Sequence, residues 1–227
     1  MRRVFYSIVA LVLMFVAMGC TTTPESKIIT IENGQFMRNG QPYYFVGTNF
    51  WYGAILGSEG EGGDRERLAK ELDFMKAHGI DNLRVLIGGE GENGLLGKIE
   101  PNLQPKPGEY NDEVLAGLDY LLMELGKRDM TAVLYFNNAW EWSGGYTQYV
   151  AWANNEPVLV PRVDGWFSYN TFAGEFVRNE RAKQIFYDHV RYIVSRTNRY
   201  TGVKYIDDPA IFSWQISNEP RAFSSKE

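Results

Sequence analysis

Three short apolar runs, at residues 82–87 (NLRVLI), 131–136 (TAVLYF) and 211–217 (IFSWQIS), recur along this chain with amphipathic stretches between them. That alternation constrains the fold more than any other feature. Runs of this length read as buried strands, and Pro209 and Pro220 bound the last of them. Before the first of them, residues 64–78 place Leu68, Leu72 and Met75 on one helical face, with Gly79 as the C-terminal cap. Residues 111–127 line up Val114, Leu115, Leu118, Leu121, Leu122 and Leu125 in the same way. Asn179 caps a third helix running to about Arg196 through Ala182, Ile185, Phe186, Val190 and Ile193. Residues 28–31, 34–36 and 43–46, with Asn39-Gly40 between extended runs, read as a hairpin leading into a first strand.

Strands alternating with helices argue for parallel βαβ units, hence an α/β protein. Two architectures compete, an open doubly wound sheet and a (β/α)8 TIM barrel. The first often carries a glycine-rich phosphate turn after its first strand. Here the bulky Asn49-Phe50-Trp51-Tyr52 occupies that place. Residues 88–94 contain glycines, but Glu90 and Glu92 among them would repel a phosphate, so that stretch reads as a flexible loop. The barrel is therefore expected. About four of its eight strand–helix units are visible, so the chain reads as the front half of a longer protein.

In a barrel, catalytic side chains project from the C-terminal tips of the strands. The run at 211–217 ends in Asn218-Glu219-Pro220, which puts an amide and a carboxyl at such a tip. That pair suits acid/base work on a sugar. Residues 137–170 read as a long functional loop holding Trp140, Trp142, Tyr146, Tyr149, Trp152, Trp166 and Phe167. Indole faces stack on sugar rings, although about half of these aromatics are expected only to pack the loop together. Aromatics make up 15% of the chain. A net charge of -5 disfavours nucleic acid as the partner. No cofactor or metal is expected, because His78 and His189 stand isolated, each on a helix. Glu141 reads as a polar loop residue able to touch sugar.

At the N-terminus, Arg2 and Arg3 precede an apolar run at 4–16 and then Ala17-Met18-Gly19-Cys20. A basic start, a short apolar run and small residues describe an export signal. It resembles a bacterial lipoprotein signal with Cys20, the single cysteine, as the lipidated residue. The expected organisation is a signal peptide at 1–19, a polar tether at 20–27 and catalytic barrel from 28 to 227. The expected location is the cell envelope, by a lipid anchor in the membrane, or the exterior.

Three blocks then give a resemblance. Gly47 to Tyr52 (GTNFWY), Asn137 to Trp140 with Gly144 to Ala153 (NNAW, GGYTQYVAWA), and Tyr200 to Tyr205 with Asp207 to Ile211 and Trp214 to Arg221 resemble glycoside hydrolase family 5, in its endo-β-1,4-mannanase branch. The resemblance covers about residue 28 to residue 227. It implies a retaining hydrolase of β-1,4-mannans, monomeric, with Glu219 as the general acid/base and Asn218 bonding the sugar 2-hydroxyl. Arg84 would orient the nucleophile. Trp51 or Tyr52 would line the glycone side, Trp140 would be a platform, and Asn137 would join the substrate-binding set. The nucleophile would be a glutamate on a seventh strand beyond Glu227, so this stretch alone is expected to be inactive. A neighbouring carboxylate and partial burial would raise the pKa of the acid. The competing readings are a family 5 glucanase or cellulase, and a non-catalytic glycan-binding lipoprotein.

Overall fold

The computed structural model describes residues 27–221. The signal peptide, Cys20 and all of the tether except Lys27 lie outside the described residues. Three short strands come first: β1 (Thr30–Glu32), β2 (Gln35–Arg38) and β3 (Gln41–Pro42), paired antiparallel in that order. Both of their turns are Asn-Gly: Asn33-Gly34 and Asn39-Gly40 all have positive φ, the geometry that favours this dipeptide. The single hairpin expected from the sequence is thus a three-stranded ribbon.

The second sheet is the body of the molecule. It contains β4 (Gly47–Asn49), β5 (Asn82–Leu86), β6 (Thr131–Tyr135) and β7 (Ile211–Gln215), all parallel and in sequential order. A doubly wound sheet reverses its strand order at a switch point. This one does not, and it is the first part of a (β/α)8 barrel. Its first strand starts at Gly47, later than the 43–46 expected, because Tyr43 to Val46 carry the chain from ribbon to sheet.

Helices follow the strands: α1 (Gly53–Leu56) and α2 (Arg65–Ala77) after β4, and α3 (Asp112–Lys127) after β5. After β6 come α4 (Gly145–Asn154), α5 (Pro161–Asp164), α6 (Trp166–Gly174) and α7 (Glu180–Val194). Local chemistry starts the long ones. Asp64, Asn111 and Asn179 each accept a backbone N–H of the first turn of α2, α3 and α7. Leu83, Val85, Ala132 and Leu134 alternate onto the outer face of the sheet and are 0% exposed, sharing one core with Leu118, Leu121, Phe186 and Ile193. α1 and α3 meet at Gly117, where a Cβ would lie 2.0 Å from the Ala54 carbonyl oxygen.

Two further stretches differ from the sequence expectation. The stretch at 137–170 is mostly helical, because Tyr149, Val150, Ala151 and Tyr169 are buried, the first two in the core shared with the sheet and Phe186. The stretch at 88–94 is built rather than a flexible loop: Glu90 is fully buried and bridges to Gln104. No helix of the described residues is long and apolar enough to cross a membrane.

The ribbon closes one end of the sheet. A register shift between Ala132 and Val133 leaves Phe212 out of the ladder. Its ring lies 5.0 Å from both Phe36 and Phe45 and 6.1 Å from Tyr43. The Tyr43 hydroxyl lies 3.2 Å from that of Thr131, the first residue of β6. The aromatic cluster thus sits at the N-terminal end of the strands, opposite the tips.

Candidate active site

The site grows from the ends of β6 and β7. Beyond the last ladder residues the two chains stay paired: Asn218 donates its amide to the Asn137 carbonyl at 2.7 Å, and Ala139 donates to the Asn218 carbonyl at 3.0 Å. The Asn218 side-chain amide donates to Asn138 Oδ1 at 2.9 Å, and that oxygen also accepts the Trp140 amide at 3.3 Å. Asn218 is therefore held on both backbone and side chain. Glu219 follows with φ 47°, a left-handed conformation that costs a non-glycine residue about 1–2 kcal/mol. Strain of this kind collects at functional sites.

That turn lifts the Glu219 carboxyl out of the sheet, where its side chain is 58% exposed. The Trp140 indole N–H donates to Glu219 Oε2. The Arg221 guanidinium stands 3.9 Å from the same oxygen and 3.8 Å above the Trp140 ring. Trp140 meets Trp166 edge-on at 5.9 Å. Ala139, Trp140, Trp166, Tyr169, Asn170 and Arg221 line a cleft of about 350 Å³ beside the carboxyl.

Arg84 lies on the inner face of β5. It donates to Gln215 Oε1 at 2.8 Å on β7 and to Asn49 Oδ1 at 3.4 Å on β4, and its guanidinium is 4.2 Å from the Tyr135 ring centre. From β5 it therefore touches the other three strands of the sheet. Burial pushes the Tyr135 phenol up to about 12, against the opposing effect of Arg84, so it is a neutral hydroxyl at ordinary pH.

The other expected residues divide. Trp51 is at the rim, 38% exposed and edge-on to Trp142 at 5.3 Å. Tyr52 turns away from it: its hydroxyl donates to Glu71 on α2 at 3.0 Å, so it packs outside the sheet. Asn137 is 0% exposed, and its Oδ1 accepts the Asn138 amide. It braces the strand tips from within and does not face the cleft. Glu141 forms a single 3-10 turn with Trp142 and Ser143, and its Oε2 is buried with no partner among the described residues. His78 caps the end of α2, and His189 is buried. Among the described residues no group of three or more His, Cys, Asp or Glu converges to hold a metal. Asn138 and Arg221 were not singled out from sequence. Their adjacency to Asn137 and to Asn218-Glu219-Pro220 was the available signal.

Residues 26–227 match the family described as GH family 5 beta-mannosidase-like. The chain belongs to glycoside hydrolase family 5. Among curated relatives, mannan endo-1,4-beta-mannosidase 1 of Arabidopsis thaliana is 32% identical, over 86% of this chain and 42% of its own length. Mannan endo-1,4-beta-mannosidase 1 of Solanum lycopersicum is 29% identical, over 94% and 49%. Among solved structures, a family 5 mannosidase of Rhizomucor miehei in complex with mannosyl-fructose superposes with a TM-score of 0.81 at 38% identity, over 86% of this chain and 49% of that one. The endo-1,4-beta-mannanase of the same organism gives 0.64 at 26% identity, with the same coverage. The chain spans about half the length of the relatives it matches.

Proposed function

We propose that the protein carrying this chain is a retaining, endo-acting hydrolase of β-1,4-mannosidic bonds in mannan, glucomannan or galactomannan. The observation that supports this most directly is the tip of β7, where a strained Glu219 presents its carboxyl beside a tethered Asn218 and two indoles. In this reading Glu219 protonates the departing glycosidic oxygen and then deprotonates the incoming water. The Trp140 N–H orients its carboxyl. Asn218 holds the 2-hydroxyl of the sugar at the point of cleavage, and Arg84 orients the attacking carboxylate. On the family resemblance, that nucleophile comes from a seventh strand. Trp51 and Trp140 supply faces for sugar rings. Export with lipidation at Cys20 belongs to the same proposal, because a polymeric substrate lies outside the cell. A Cys20→Ser variant should leave the membrane fraction.

A second reading has its own support. The Rhizomucor miehei mannosidase is more identical to this chain than the endo-mannanase of the same organism, 38% against 26%. That favours an enzyme releasing mannosyl units from short oligosaccharides. One experiment separates these readings: incubate the full-length protein, as its natural host makes it, with mannan, mannotriose and carboxymethylcellulose, and size the products. A spread of oligosaccharides from mannan supports the endo-mannanase. Mannose alone, chiefly from mannotriose, supports the second reading. Cleavage of carboxymethylcellulose only would replace both with a glucanase. Binding without reducing-end release would leave a glycan-binding protein.

A further inference from the structure

Glu90 has no part in the chemistry above, yet it is an acid buried completely behind it. It follows β5, and both of its carboxylate oxygens are engaged by α4. The Gly145 amide donates to Oε2 at 3.0 Å and the Tyr149 hydroxyl donates to Oε1 at 3.0 Å. Its own amide donates to the Ser143 carbonyl at 2.9 Å. The two segments touch backbone to backbone, since a Cβ on Gly144 would lie 2.3 Å from the Glu90 carbonyl oxygen. Among the described residues the cation facing it is Lys98, 2.9 Å from Gln148 Oε1; Tyr110, Tyr146, Tyr149 and Tyr169 are the titratable neighbours.

What Glu90 holds leads straight to the site. Gly145 packs on the Asn138 carbonyl, where a Cβ would come within 2.4 Å. The next residue, Tyr146, bonds the Ser217 hydroxyl beside Asn218. The same segment carries Trp140, whose indole N–H meets Glu219. We propose that Glu90 is a positioning residue whose carboxylate clamps the start of α4, and through it sets how Trp140 and Asn138 meet Glu219 and Asn218.

Folding alone does not call for an acid here, because a buried carboxylate is costly and a neutral side chain would fill the space at less expense. Burial pushes the Glu90 carboxyl up to about 7 and the Lys98 ammonium down to about 8, so the charge of the clamp changes near neutrality. On protonation, the Tyr149 hydroxyl can rotate to accept. The Gly145 N–H can only donate, so the added proton must sit on Oε1. Glu90→Gln reproduces that neutral form: its oxygen accepts from Gly145 and its amide donates to Tyr149.

The test follows the Trp140 indole N–H by NMR across neutrality in the intact protein, with Trp140→Phe to assign the signal. The wild-type signal should show a step near pH 7, where Glu90 titrates. Glu90→Gln should remove the step while the protein stays folded. Tyr149→Phe should keep the step and move it up by about half a pH unit, since the carboxylate loses a donor. The kinetic arm rests on the mannanase reading: kcat should fall about tenfold in Glu90→Gln with KM within about twofold, since substrate contacts stay in place. A step of unchanged size in Glu90→Gln would overturn the proposal. A loss of melting temperature with no change at the indole would overturn it too, showing a purely structural acid. Absence of mannan hydrolysis with the indole step intact would sink the mannanase reading and leave the clamp standing.

Discussion

Leu83 and Arg84 are neighbours on β5 and face opposite ways. On the Leu83 side the sheet is sealed: Leu83, Val85, Ala132 and Leu134 are all 0% exposed beneath α3 and α7. On the Arg84 side, Arg84, Tyr135, Ser213 and Gln215 present polar groups to a surface left partly open. The backbone and the register are shared, so only the strand period separates the two roles. The outer face carries the packing of the fold, and the inner face with its tips carries the residues to which the proposed chemistry is assigned. Substitutions on the two faces should therefore be read by different instruments.

The largest effect is expected at the inner rim. Glu219→Gln should lower kcat by about 10²–10⁴-fold with little change in melting temperature, measured on mannan and by calorimetry. A stability loss of the same size would break the comparison. Next comes the outer face, where Leu118→Ala should cost about 2–5 kcal/mol in urea unfolding, with kcat retained while the protein is folded. Arg84→Lys keeps the charge but loses the fork that reaches both Gln215 and Asn49. It should lower kcat about tenfold and change stability by less than about 1 kcal/mol.

The fourth prediction uses pH. Native Glu90, raised to about 7, binds a proton that the unfolded chain has released, so its contribution to stability falls as pH rises from about 4.5 to about 7. His189 works in reverse. Buried with its Nε2 on the Ile87 carbonyl, it is lowered to about 4, so its contribution falls as pH drops from about 6.5 to about 4. The two slopes oppose each other over the shared range. Thermal melts should show stability rising with pH in Glu90→Gln and falling with pH in His189→Gln, each flatter in wild type. The smallest effect sharpens the boundary between the regions. Tyr52→Phe, outside the sheet, should leave kcat and KM within about twofold, whereas Trp51→Ala at the rim should raise KM several-fold. An equal response from both would erase the distinction.

How much of this was legible in the sequence depended on how local the signal was. Asn111, Asn179 and Asp64 cap their helices through their own side chains, and the apolar runs at 82–87 and 131–136 need only their composition to read as strands. The helices that begin within 137–170 give no such signal, and that stretch reads as loop from sequence. They start at Gly144 and Gly165 with no capping side chain, and their aromatics do not follow a helical stripe. Glu90 was hidden by its glycines. Gly89 and Gly91 looked like slack, but with φ 119° and 105° they form a fixed turn that turns the acid inward. Of the aromatic pair Trp51-Tyr52, sequence could not say which ring faces the rim. A hydrogen bond to Glu71, nineteen residues away, decides it.

The aromatic cluster of Phe36, Tyr43, Phe45 and Phe212 gives this sheet a floor. With that end packed, a molecule meets the described part of the sheet at the strand tips, where Trp51, Trp140 and Trp166 stand beside Glu219. The flat rings are therefore the surfaces it would touch first on arriving and last on departing.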